Sequence, residues 1–166
     1  ATVHTNSASG TVARLIDMGV ETFLLTSTLR VAVGQRLVRK LIDSKEAYTL
    51  SAAEKAEIEK YVDLDHILKI LKEEGVVKDN ATWNSIPFYH AVPTPDHATG
   101  YKGRFGIHEV LTVSPTIQNM VMAGKTSDEI EEQARKEGML TMLEDGIFKA
   151  AQGVTSIEEV LRVINE

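Results

Sequence analysis

Two long stretches free of helix signals dominate this chain, "RVAVGQRLVRK" over 30–40 and "GYKGRFGIHEVLTV" over 100–113. The first is rich in β-branched residues and reads as a strand, in which Gly34 can mark a bulge or a close backbone approach. In the second, Gly100, Gly103 and Gly106 punctuate a strand whose Phe105, Ile107, Glu109 and Leu111 share one face by alternation. Each strand is a natural partner for the other. Pairing them makes everything between an insertion and restricts the chain to folds in which one non-local ladder organises helical flanks.

The flanks carry helix signals. Ala1-Thr2-Val3 reads as the tail of a buried strand, and His4-Thr5-Asn6 sits where a strand hands over to a helix. Asn6 or Ser7 caps that helix, Ala8, Val12, Leu15 and Ile16 recur at helical spacing, and Gly19 ends it. A second short helix is expected over Glu21–Leu29. Within the insertion, "SAAEKAEIEKYV" and "LDHILKILKEEG" predict two helices, Ser51 or a neighbour capping the first and Gly75 stopping the second. From Val76 to Gly100, Pro87, Pro93 and Pro95 predict an irregular connector. Beyond the second strand four short helices are expected. Ser114-Pro115 opens the first, while Thr126 with Glu129, Thr141 with Glu144 and Thr155 with Glu158 match the T-x-x-E capping box. Gly138 and Gly153 supply stops. Ile130, Leu143, Ile147, Phe148, Ile157, Val160, Leu161 and Ile164 are expected to face inward, and Met120, Met122, Met139 and Met142 read as core filler.

Composition narrows the function classes. The 166 residues, 43% of them hydrophobic, suffice to bury a core. A net charge of −6 argues against a nucleic-acid partner, because phosphate binding relies on basic surface. No apolar run approaches the ~20 residues that cross a bilayer, and no charged-then-apolar leader pattern opens the sequence. The absence of cysteine removes disulfides and thiolate metal sites. A cytoplasmic protein is expected.

Four phrases carry a resemblance. "TVHTNSASGTVARLIDMGVE" resembles the histidine box and following helix of the secretion ATPase superfamily that powers type II secretion and type IV pilus assembly. "LRVAVGQRLVRKL" resembles that family's next strand, "GYKGRFGIHEVL" the strand after its zinc-binding insertion, and "EGMLTMLEDGIFKAAQGVTSIEEVLRV" its terminal helices. The phrases span about residues 1–42 and 98–166 in the family's order. The chain is thereby identified as the C-terminal portion of a pilus-extension or type II secretion ATPase. The resemblance implies an α/β fold with residues 1–42 ending a RecA-like nucleotide-binding core. Residues 43–99 would be a helical and irregular insertion in place of the zinc-binding segment, 100–112 a core strand, and 113–166 a helical C-terminal subdomain. It also implies a homo-hexamer that uses ATP with magnesium. That hexamer would lie in the cytoplasm, peripheral to the inner membrane through a platform protein, without direct insertion.

The departures are equally informative. Neither a G-x-x-x-x-G-K-[ST] phosphate loop nor an acidic Walker B segment is present, so those parts are expected upstream of Ala1 and the isolated chain is expected to be inactive. Many relatives carry two cysteine pairs around the insertion. Here those regions read "LIDSKEAY" and "PTPDHATG", which excludes zinc by that route. A retraction-type motor fits less well, because its pattern lacks this insertion. A binding or adaptor module that never contacts ATP remains the alternative from a different class.

Several side chains are candidates for chemistry. The resemblance places His4 near the nucleotide's terminal phosphate, where it would hydrogen-bond phosphate or attacking water, with Thr5 and Asn6 in support. The bland alternative is that His4 ends a strand and helps cap a helix. Arg30, Arg36, Arg39, Lys40, Lys102 and Arg104 flank the paired strands and can meet nucleotide phosphate, Arg36 above all, or a neighbouring subunit; solvated strand-edge charge is the competing explanation. His90, Asp96 and His97 lack metal-ligand spacing, and "HEVLT" has no second histidine. Alternation turns either His108 or Glu109 inward to a packed or hydrogen-bonded role. Glu144 and Asp145 are adjacent carboxylates, but Glu144 fits the capping box. We expect elemental analysis of the purified chain to find no stoichiometric zinc, and chelation to leave its circular dichroism unchanged.

Overall fold

The computed structural model describes residues 2–5 and 7–165. It divides into two compact units, one running to Gln35 and returning over His108–Thr141, the other formed by Arg36–Ile107 and the chain from Met142 onward. Strands β1 (Val31–Leu41) and β4 (Tyr101–Thr112) pair as expected, and each contributes residues to both units.

The first unit holds helices α1 (Ala8–Asp17), α2 (Thr22–Thr28), α5 (Pro115–Met122) and α6 (Ser127–Lys136). Their boundaries follow local chemistry. Gly19 takes the left-handed φ of +86° that ends α1. Ser114 Oγ accepts from Ile117 N at 3.2 Å with Pro115 in the first turn of α5, and Thr126 and Glu129 form the reciprocal capping box of α6. α1 packs on α6 and α2 on α5 around Val12, Leu25, Leu111, Ile117, Val121 and Ile130. Residues 2–5 form no strand; no other described strand runs beside them, and an extended segment without a ladder partner is not a strand. Met122, expected in the core, is 54% exposed.

The second unit contains β2 (Lys45–Tyr48), α3 (Ala52–Ile58), α4 (Leu64–Glu73), a 3₁₀ turn over Trp83–Ser85, β3 (Phe88–Ala91), α7 (Met142–Ala151) and α8 (Ile157–Ile164). The expected helices of the insertion form, with a Ser51–Glu54 capping box on α3 and Asp63 capping α4. The connector expected to be irregular is partly regular. β3 pairs antiparallel with β2 in the register Lys45 to Ala91 through Tyr48 to Phe88. Ile67, Leu71, Ile86 and Phe88 are almost wholly buried, against Ile147 and Ala150 of α7. Phe105, which shares a face of β4 with the buried Ile107, Glu109 and Leu111, is 42% exposed and has Lys149 Nζ 5.3 Å from its ring centre.

The four terminal helices do not make one body: α5 and α6 belong to the first unit, α7 and α8 to the second. The cause is which faces they bury, α5 and α6 on α2 and α1, α7 on α4 and β3. α8 also begins one residue later than its capping pattern suggests. Ser156, not Thr155, is the cap and accepts from Glu159 N at 3.2 Å, because the Thr155 hydroxyl donates to Arg39 O at 2.9 Å.

α7 and α8 approach closely at Gly146, where an added Cβ would fall on Val160 Cγ1 at a separation real carbons never take. Alanine gains about 1 kcal/mol of helix propensity over glycine. Overpacking costs about 1–3 kcal/mol, and β-branched Val160 has little rotamer freedom to yield. Gly146→Ala is therefore expected to lower the denaturant midpoint, and adding Val160→Ala to it should cost less than Val160→Ala costs alone.

Candidate functional site

The segment carrying His4 is defined by what holds the start of α1. Of the two residues expected to cap this helix, Ser7 does so, its Oγ accepting from Gly10 N at 3.0 Å. Asn6, the other, lies outside the described residues. Glu109, reaching from β4 and only 5% exposed, accepts from Ala8 N at 2.7 Å. Ser9 Oγ donates to Glu131 Oε2 at 3.2 Å, adding a tie from α6. Thr5 Oγ1 donates to Ser7 O at 3.0 Å and lies 3.0 Å from Thr11 Oγ1. His4 is exposed. The arrangement is an imidazole open to solvent, able to donate or accept a proton, on a short segment tied down immediately downstream.

The basic residues along the strands have divergent surroundings. In the second unit Arg36 Nη1 donates to Val163 O at 2.7 Å, which uses one of the five guanidinium donors on the last helix. Arg39 lies 4.3 Å over the ring of Tyr101 and makes a bidentate contact to Glu159 Oε2, through Nε at 2.9 Å and Nη2 at 2.6 Å. Lys40 and Lys102 line a polar cavity of about 410 Å³ together with Asp43, Ser44 and His97. His90 Nδ1 sits 2.7 Å from Glu158 Oε1, with its ring stacked 3.9 Å from Tyr48. Among the described residues no three His, Cys, Asp or Glu side chains are placed to hold a metal ion. Glu144 is fully buried and its Oε1 accepts from Asp63 N at 3.4 Å, while Asp145 pairs with Lys149. Glu144 thus ties α7 to the start of α4, while the Asp145–Lys149 pair lies within α7 itself.

Two acidic residues matter more than the pattern around them indicates. Glu109 was visible only as one of a pair, either of which alternation could turn inward. Glu159 gave no signal beyond standing three residues after Ser156. Its carboxylate is 1% exposed and takes Arg39 N at 2.9 Å, the Arg39 guanidinium, and Arg162 Nε and Nη2 at 2.9 and 2.8 Å. Burial pushes the Glu159 carboxyl up, but the hydrogen bonds from Arg162 and Arg39 outweigh it and hold the group at about 2, against an ordinary 4.5.

Comparison with known proteins decides the family. The pattern of the Type II/IV secretion system protein family matches residues 1–162. The chain belongs to this family. It is 43% identical to the type II secretion system protein E of Xanthomonas campestris, over 100% of this chain and 26% of that protein. With the type IV pilus assembly ATPase PilB of Thermus thermophilus it shares 36% identity over 97% of the chain and 16% of the relative. The type II secretion system ATPase E of Vibrio cholerae is 35% identical, over 100% and 29% respectively. The chain thus spans between a sixth and a third of the length of these secretion-family relatives. Among its described residues no helix is long and apolar enough to cross a membrane.

In this secretion-family chain, the low carboxyl value of Glu159 makes a sign-definite expectation. A group depressed in the folded state stabilises it fully above the unfolded value and loses that contribution as pH falls from about 4.5 toward 2. Glu159→Ala is expected to cost about 3 kcal/mol at neutral pH, the low end for a breached buried ion pair, since both guanidinium groups reach solvent. Denaturant titrations between pH 5 and 2 should show a shallower acid loss in this variant than in the parent chain.

Proposed function

We propose that this chain is the C-terminal part of a hexameric motor ATPase that powers type II protein secretion or type IV pilus extension from the cytoplasmic side of the inner membrane. One observation carries the reading: relatives whose names state ATPase align along 97–100% of this chain, which in turn covers only 16% and 29% of their lengths. The phosphate loop and the acidic magnesium-holding segment then belong to the portion outside these residues. In this proposal residues 1–42 end a RecA-like core, 43–99 stand where many relatives bind zinc, and the terminal helices relay nucleotide-dependent motion to neighbouring subunits and a membrane platform protein.

His4 is the residue of this chain assigned to the reaction. Its exposure ahead of a firmly capped helix suits an imidazole that hydrogen-bonds a terminal phosphate oxygen or orients the attacking water. Thr5 supports it through its bond to Ser7 O, with Asn6 next in sequence, and Arg36 is the candidate for phosphate among the basic residues of the paired strands, one of its donors being held by Val163 O. Magnesium supplies charge neutralisation at the phosphates when bound, and no residue of this chain is assigned to hold it.

An interaction that strengthens as charge develops in the transition state falls on kcat. In the full-length protein His4→Ala should reduce ATP turnover about 10²–10³-fold, the usual loss of one positioned donor, with little change in melting temperature. The isolated 166-residue chain should show no magnesium-dependent turnover. Normal turnover of the His4→Ala enzyme together with a lowered melting temperature would reduce His4 to scaffold.

A further inference from the structure

We propose that Glu109 is the positioning residue for His4, its buried carboxylate fixing the start of α1 and with it the segment that presents the imidazole. The inference rests on the assignment of His4 above and extends it to a residue 101 positions away in sequence.

The geometry singles out Glu109 among the ties at this helix start. Ser7 already caps α1 by accepting from Gly10 N, so the helix does not need a second acceptor to form. Glu109 nonetheless reaches Ala8 N at 2.7 Å, in a place where Ala8 is 0% exposed and the next inward residue of β4, Leu111, is also 0% exposed. Burying a carboxylate is costly unless it is hydrogen-bonded, so its place at this helix start is set by the donors it meets, the Ala8 amide among them. The helix N-terminus adds partial positive charge there, and the Ala8 contact is kept only while the carboxylate and that amide stay in register. The contact is therefore a geometric pin between β4 and the first turn of α1.

What it pins continues toward His4. The Ala8 amide follows Ser7, whose carbonyl receives the Thr5 hydroxyl at 3.0 Å, and Thr5 is bonded to His4. Ser7 O is also approached by the Thr11 hydroxyl at 3.4 Å, so releasing Ala8 loosens the Ser7–Ala8 peptide without detaching it, and a small shift there passes through Thr5 to the imidazole. Glu131 cannot substitute, because it holds the Ser9 side chain and not a backbone group of the turn. Misplacement of a catalytic group by about 1 Å costs up to ~10²-fold in rate.

The test is a double-mutant cycle on kcat in the full-length protein, with ATP as substrate. Glu109→Ala should lower kcat about 10- to 10²-fold and leave the KM for ATP within about twofold. Glu109→Gln, which retains an accepting oxygen for Ala8 N–H, should recover most of the lost rate. In a His4→Ala background the same Glu109→Ala change should have no further effect, because it acts through the imidazole. An equal loss in both backgrounds, or an unchanged kcat in the Glu109→Ala enzyme, would overturn the inference. If Glu109→Ala gives no folded protein, Glu109→Asp withdraws the carboxylate by one methylene and carries the same cycle. The two assignments fail separately. A His4→Ala enzyme of normal turnover removes the role of His4, whereas a slow His4→Ala enzyme with additive Glu109 effects removes only the positioning role.

Discussion

The pairing of β1 with β4 is the constraint from which the rest follows. It joins two segments separated by the entire insertion, and the order it imposes must be maintained against the entropy of the intervening chain. Lengthening a closed loop is inexpensive, about 0.6 kcal/mol for each doubling, so a large insertion is tolerable if it folds on its own account. This one supplies the β2–β3 pairing and two capped helices itself, and completes its apolar core around Leu71 and Phe88 with Ile147 and Ala150 of α7. Each long strand also supplies attachment points for helices. Arg39 on β1 receives the Thr155 hydroxyl on its carbonyl and offers its amide to Glu159. Glu109 on β4 receives the Ala8 amide.

The two buried glutamates solve a common problem. Each puts a charge where burial is costly, and each is answered by donors fixed on a different element. Glu159 meets two guanidinium groups and a strand amide, which anchors the last helix. Glu109 meets a helix amide, which anchors the first. A contact of this kind specifies position more sharply than hydrophobic packing does, since an apolar contact tolerates sliding and a hydrogen bond to a charge does not. That quality is wanted where a reactive side chain must be presented, and also where a terminal helix must not slip along a strand.

Legibility in the sequence divides along the range of the interactions. Helix starts governed by residues at most three positions apart were readable, as at Ser51, Ser114 with Pro115, and Thr126 with Glu129. The start of α8 was displaced because Thr155 has a partner 116 residues away, which a local pattern cannot register. β2 and β3 went unread because each is only four residues long, too short for alternation to stand out between prolines and charges. The division of the terminal helices between two units was likewise invisible, since it depends on which apolar faces meet. At the candidate site, His4 and Thr5 were noticed through a resemblance to a family and Ser7 through its capping chemistry. The partnership of Glu109 with Ala8 spans 101 residues, and strand alternation offered only that one residue of a pair turns inward.

The shared core of the second unit has a consequence for how the protein is made. Leu71, Ile86 and Phe88 are covered by Ile147, Ala150 and Ile157, which leave the ribosome only after the insertion and β4. At synthesis rates of about 5–20 residues per second, the apolar side of the insertion stays open on the order of several seconds on every nascent chain. During that interval it presents a short strand pair and a greasy helix face to solvent, the kind of surface that chaperones capture and that neighbouring nascent chains on a polysome can join. α7 and α8 thus close this core when they emerge, and a ribosome that stalls before them releases a protein whose insertion has no lid.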